Sequence, residues 1–348
     1  MPPVSLRTGD WVEVRSREEI LATLDAEGRL DRLPFMPEML RYCGQRFEVM
    51  ARAHKTCDTV NRTGGRRLEA TVHLKELRCD GAAHDGCEAA CLIFWKEAWL
   101  KRPGEGTAAA AGAGCTERQL QAATRVDAGG EAPPRYRCQA TLLPEFTEPL
   151  KWWDFRQYLE DYTSRNVGLR RLVNGAVYVF WYGLIKRVEP LSSTLAYRLI
   201  QVYDAFQKLA GGPPYPRLRG SVPAGVQTPS RPLNLQPGEL VRVRPYAEIL
   251  TTLDRTNKNR GMYFDAEEVP HCNKVFRVRS PVRRIVDERS GAMLEFKEQS
   301  VILDGAWCEG RYSDRRMMCP RAIFPFWKET WLERVDPSAR PPQPPGQD

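Results

Sequence analysis

The chain opens on alternating apolar and polar positions. Gly9-Asp10-Trp11-Val12-Glu13-Val14-Arg15 has the period-two pattern of a strand buried on one face. Ser16, followed three residues later by Glu19, forms a capping box and predicts a short helix after that strand. Alternation returns in Arg46-Phe47-Glu48-Val49, in Leu68 to Leu74 and in Val275-Phe276-Arg277-Val278, each predicting a further short strand. The pattern then changes. Leu172 to Ile185 is apolar throughout except for Asn174, and Ser193 would cap a helix carrying Leu195, Leu199, Ile200, Tyr203 and Phe206 on one face, closed by Gly211.

Much of this pattern occurs twice. Gly9 to Arg15 is echoed by Gly238 to Arg244, and Glu19-Ile20-Leu21-Ala22-Thr23-Leu24-Asp25 by Glu248-Ile249-Leu250-Thr251-Thr252-Leu253-Asp254, both at an offset of 229. Phe94-Trp95-Lys96-Glu97-Ala98-Trp99-Leu100 matches Phe326-Trp327-Lys328-Glu329-Thr330-Trp331-Leu332 at an offset of 232, so three residues enter between the blocks. Each copy has the length of a domain. The Gly-x-x-Val-x-Val-Arg opening resembles that of SH3-like barrels over fewer than ten residues per copy, and this resemblance implies a compact barrel. The expected fold is α+β, with two homologous small β-barrel-like, SH3-like domains flanking a helical middle. Repeat 1 spans 1–102, a flexible linker 103–137, the helical segment 138–211, a Pro/Gly linker 212–237, repeat 2 238–336 and a disordered tail 337–348.

Composition narrows the class. The 348 residues are 42% hydrophobic and 28% charged, enough for real cores, while 27 Pro and 26 Gly require many loops. The net charge of +8 divides as +1 over 1–103, +5 over 104–236 and +2 over 237–336. The excess is in the middle and no dense basic face emerges, so nucleic acid is not an expected partner. The first residues reach Gly9-Asp10 before any apolar run, unlike a secretory signal. With ten Cys, the expected compartment is a reducing cytoplasm, where clustered thiols are metal ligands or buried hydrophobes rather than disulfides.

Soft ligands concentrate in repeat 1: His54, Cys57, Cys79, His84, Cys87 and Cys91. Zinc needs four such groups within about 2.0–2.3 Å of the metal. Cys87 and Cys91, four apart, would share one face of a turn, with Gly81 and Gly86 folding the loop back onto Cys79. An iron–sulfur cluster would take Cys57, Cys79, Cys87 and Cys91 instead. At equivalent positions of repeat 2, Cys57 becomes Val286, Cys91 becomes Ile323 and His54 becomes Arg283, whereas Cys43 and Cys87 recur as Cys272 and Cys319. The same cysteines also fit simple packing.

The Phe-Trp-Lys-Glu-x-Trp-Leu endings would place their Trp side chains in each core. Arg170, Arg171, Lys186 and Arg187 flank the apolar middle run, which is too short to span a bilayer and reads as a core helix or as a membrane-surface element over 170–187. No phosphate loop, G-x-S-x-G or H-E-x-x-H occurs. The expected function is a metal-stabilised binding or scaffold protein with a protein partner. The alternative is an enzyme using a metal or reactive thiol of repeat 1, its substrate unspecified.

Overall fold

The computed structural model describes residues 6–106, 114–126, 133–313 and 315–335. The fold is α+β, with several small antiparallel sheets, none closed into a barrel. The chain divides into two compact units. The first comprises Met1–Leu172, Arg284–Glu295 and Asp314–Ile323, the second Val173–Arg283, Phe296–Ser313 and Phe324–Asp348.

The main sheet of the first unit holds β1 (Trp11–Val14), β2 (Arg46–Arg52), β3 (Thr71–Leu74), β4 (Trp95–Lys96) and β5 (Leu100–Lys101) in the order β4-β3-β2-β1-β5. The alternation of β1 decides its faces. Val12 and Val14 are fully buried, while Glu13 points outward to Arg46 and Lys101. Helix α1 (Arg17–Thr23) begins at the capping box: Ser16 Oγ accepts from the Glu19 amide, and Glu19 Oε2 accepts from the Ser16 amide. Ile20, Leu24, Phe35, Val49, Val72, Leu74, Trp95 and Trp99 fill the core.

The second sheet repeats the order: β6 (Leu240–Val243), β7 (Val275–Val286), β8 (Met293–Leu303), β9 (Trp327–Lys328) and β10 (Leu332–Arg334) run β9-β8-β7-β6-β10. In each unit a single 3-10 turn, Glu97–Trp99 or Glu329–Trp331, precedes the last strand. The packing around the turns agrees. Trp99 Nε1 donates to Thr23 Oγ1 at 3.2 Å and Trp331 Nε1 to Thr252 Oγ1 at 3.1 Å. Phe35 meets Trp99 edge-on at 5.0 Å, and Phe264 meets Trp331 at 5.1 Å. All four Trp of the repeated endings are buried.

Between the sheets the local chemistry adds structure that composition hides. Within the segment read as linker, Thr116 caps α2 (Glu117–Ala122) through a capping box with Gln119, and Cys115 and Leu120 enter the first core. Arg125–Val126 pairs with Arg135–Tyr136. The Ala-rich and Gly-rich stretches at 107–113 and 127–132, and the tail at 337–348, lie outside the described residues. The middle carries α3 (Arg156–Thr163), α4 (Leu169–Val188) and α5 (Ser193–Ala210), as well as a strand, Glu148–Leu150, paired to Gly65–Arg67. Ser192, not Ser193, caps α5, its side chain accepting from Leu195 N, and Gly211 closes the helix at φ +70°. In the second unit α6 is Tyr246–Leu250, and Leu235, read as linker, is buried in the core. No helix among the described residues is long and apolar enough to cross a membrane.

Candidate metal centre

The site grows from two chain segments held side by side. Cys79 N donates to Cys91 O at 2.8 Å and Ile93 N to Leu77 O at 3.2 Å, while Arg78 bridges Leu92, so Cys79 and Cys91 lie next to each other. After Cys79 the chain turns sharply. Gly81, at φ +74°, opens a 3-10 turn over Ala82–His84, and its carbonyl accepts from His84 N and Gly86 N. A side chain at Gly81 would place its Cβ 1.9 Å from the Cys87 carbonyl oxygen, so only glycine allows the loop to close this tightly. Asp80 fixes the turn by accepting from Ala82 N and pairing with Arg41. The expected shared turn of Cys87 and Cys91 does not form. Residues 87–91 carry no helix, and Ala90 adopts φ +48°.

This loop brings Cys79, His84 and Glu38 together. Their ligand atoms all lie within 4.8 Å of one another, the one such group among the described residues. Cys79 Sγ is 3.9 Å from His84 Nδ1. Tetrahedral zinc with ordinary bond lengths holds a sulfur and a nitrogen about 3.6 Å apart, so the pair needs only a small closure. The three residues border a cavity of about 40 Å³, also lined by Cys87, Cys91, Cys138 and Arg321.

Electrostatics mark the group as incomplete. Neither Glu38 carboxylate oxygen makes a well-formed hydrogen bond. The Cys79 thiol facing it is a weak donor, and burial raises the Glu38 carboxyl above its ordinary range. Burial pushes the Cys79 thiol far up, with Glu38 and Cys91 adding to the rise, and it drives Cys91 up as well and Cys138 to about 11. Burial lowers the His84 imidazole below its ordinary range. Burial thus disfavours the charged forms of the thiol, the imidazole and the carboxyl alike, and a metal ion bound among them would offset that cost.

The second unit supplies the comparison. At the offset of 229, Cys79, Gly81, His84 and Glu38 correspond to Cys308, Gly310, Ser313 and Glu267. Glu267 is equally buried, but it is satisfied by the amides of Arg311 (3.0 Å) and Tyr312 and by Ser313 Oγ (3.1 Å). The same carboxylate position thus has protein donors in one unit and none of good geometry in the other.

The remaining sequence candidates are placed as follows. Cys87 lines the cavity, and its sulfur accepts from Val286 N at 3.3 Å. Cys91 lines it too, whereas Cys57 and His54 do not. Cys57 is hydrogen-bonded to Cys319, and this contact, helped by Arg321, holds its thiol below the ordinary range against burial. Arg321 donates to Thr59 Oγ1 and pairs with Glu288 at 3.1 Å. His54 lies with its Nε2 3.2 Å from Asp161, whose other oxygen takes Lys55 Nζ at 2.6 Å. All ten cysteines are free thiols. Sequence reasoning missed Glu38, Cys138 and Arg321 as lining groups. The recurrence of Glu38 as Glu267 was the available signal for the carboxylate. No protein-family model matches the chain, and no curated protein matches it.

Proposed function

We propose that the chain is a binding or scaffold protein built on a duplicated SH3-like domain, its first copy stabilised by zinc. Duplication is supported by the common strand order, the common 3-10 turn before the last strand and the matched Trp–Thr and Phe–Trp contacts. The observation that carries the metal is the buried Glu38 carboxylate beside Cys79 and His84, set against the satisfied Glu267 of the other copy. Glu38, Cys79 and His84 would hold the ion, with Cys87 or Cys91 completing four.

Two arguments favour structural zinc over the alternatives. Mixed thiolate, imidazole and carboxylate donors suit zinc, whereas an iron–sulfur cluster wants four thiolates, and Cys57 is engaged by Cys319 beside the Arg321 cation. The cavity of about 40 Å³ holds an ion or a water. Substrate pockets run to hundreds of Å³, so an enzyme acting here is the weaker reading.

Elemental analysis of protein purified without added metal tests the proposal. About one zinc per chain is expected, lost in Cys79→Ser and in His84→Ala and kept in Cys57→Ser. Wild-type protein that stays metal-free after equilibration with zinc overturns the proposal, as does zinc retained in both ligand variants. Iron with visible charge-transfer absorption would assign the cluster instead.

A further inference from the structure

We propose that the α4–α5 hairpin of the second unit is a docking face for an anionic membrane surface. Residues 189–192 turn the chain back from α4 into α5, and Trp181 packs edge-on against Tyr203 at 6.3 Å across the pair. Phe180 immediately precedes Trp181, and Val202 immediately precedes Tyr203. Each therefore lies about 100° round its helix from the contact, in the same rotational sense. Because the helices run in opposite directions, equal rotations from the mutual contact bring both residues to the same side of the hairpin.

That side is apolar across both helices. Val173 and Phe180, seven apart, form the α4 row, and Leu195, Val202, Phe206 and Leu209 form the α5 row with spacings of seven, four and three. These side chains are exposed, Phe180 by 67% and Leu209 by 90%. Apolar side chains scattered singly on a surface need no partner, but two aligned rows do.

Charge selects the partner. Arg187 continues the Phe180 row after seven more residues, and Arg198 and Lys208 are exposed on α5. The two acids of this stretch are engaged elsewhere, Glu189 by Arg219 and Asp204 by the Tyr215 amide. A twofold pairing of two such faces would set cation against cation. An anionic bilayer instead takes the apolar rows into its headgroup boundary and neutralises the cations. Since the helices are not suited to crossing, the hairpin would lie in the interface plane.

Flotation of the full chain with phosphatidylcholine vesicles, with and without phosphatidylglycerol, tests the assignment. Binding is expected on the phosphatidylglycerol vesicles, weakening at least tenfold between about 0.1 and 1 M salt. Phe206→Asp and Leu209→Asp should each lower it at least tenfold with the melting curve unchanged, and Arg187→Glu should lower it on anionic vesicles. Leu209, nearly fully exposed in the last turn, keeps the test valid if Phe206→Asp perturbs folding. Absence of flotation with either vesicle, or binding unaffected by these variants, overturns the proposal. So does a wild-type dimer that Leu209→Asp converts to monomer without vesicle binding, which would assign the face to a second copy.

Discussion

Two glycines of the loop carrying Cys79 and His84 offer a controlled pair of substitutions. Gly81 and Gly86 sit at nearly equal backbone angles, φ +74° and +75°, so alanine meets the same left-handed penalty at both, about 1–2 kcal/mol. Their surroundings differ completely. At Gly86 a Cβ meets nothing within 4 Å. At Gly81 it meets the Cys87 carbonyl oxygen at 1.9 Å and two further Cys87 backbone atoms at 2.7 Å, none of which can swing away as a side-chain tip could. Gly81→Ala must therefore open the loop, with loss of the hydrogen bonds from His84 N and Gly86 N to the Gly81 carbonyl. At about 1 kcal/mol each, these bring the expected cost to about 3–4 kcal/mol, against about 1–2 kcal/mol for Gly86→Ala, where the backbone penalty stands alone. Urea unfolding gives the totals. Hydrogen exchange at the amides of Cys79, His84 and Gly86 localises the change. Equal costs for the two variants would refute the steric account and leave only backbone conformation.

Two further perturbations probe buried charge. Burial lowers His271 to about 4, against its hydrogen bond to the Trp307 carbonyl. The folded protein keeps this ring neutral while the unfolded chain takes a proton below about 6.5, so stability is full above that pH. It falls by about 3 kcal/mol as pH drops to about 4, and His271→Gln should flatten this part of the stability–pH curve. Removing the Asp161 charge as Asp161→Asn leaves the buried Lys55 ammonium without its counter-charge at 2.6 Å, an expected loss of about 3–5 kcal/mol by denaturation. The double variant Asp161→Asn/Lys55→Met should recover most of that loss, and a double variant as unstable as the single one would refute the charge argument.

What the sequence made legible was local or periodic. The alternation at Trp11–Val14 is a strand with its Val pair inward, Ser16 and Glu19 do form a capping box, and the repeated Trp residues are in the two cores. The helix capped at Ser192 rather than Ser193 shows the usual limit, since adjacent serines offer the same hydroxyl and only the backbone angle selects between them. The cysteine site was legible in part, because Cys79, His84, Cys87 and Cys91 belong to one short loop. Glu38 and Arg321 are brought in by tertiary pairing across tens to hundreds of residues, which no spacing rule encodes. The same holds for Cys57, drawn away by Cys319. Thr116 shows the opposite error: Ala- and Gly-rich flanks masked a capping box with full local signals.

The composition of the first unit has a consequence for the order in which the molecule is made. Segments 284–295 and 314–323 belong to that unit, supplying Val286 to Cys87, Cys319 to Cys57, and Arg321 to the cavity wall. Cys57 through Cys91 leave the ribosome long before these partners exist. At roughly 5–20 residues per second, the 230 residues between Cys91 and Arg321 take on the order of 10–50 s to appear. For that interval the thiols lack the partners that enclose them in the finished unit. The site therefore closes late in synthesis, because the segments that enclose it are the last of the unit to appear.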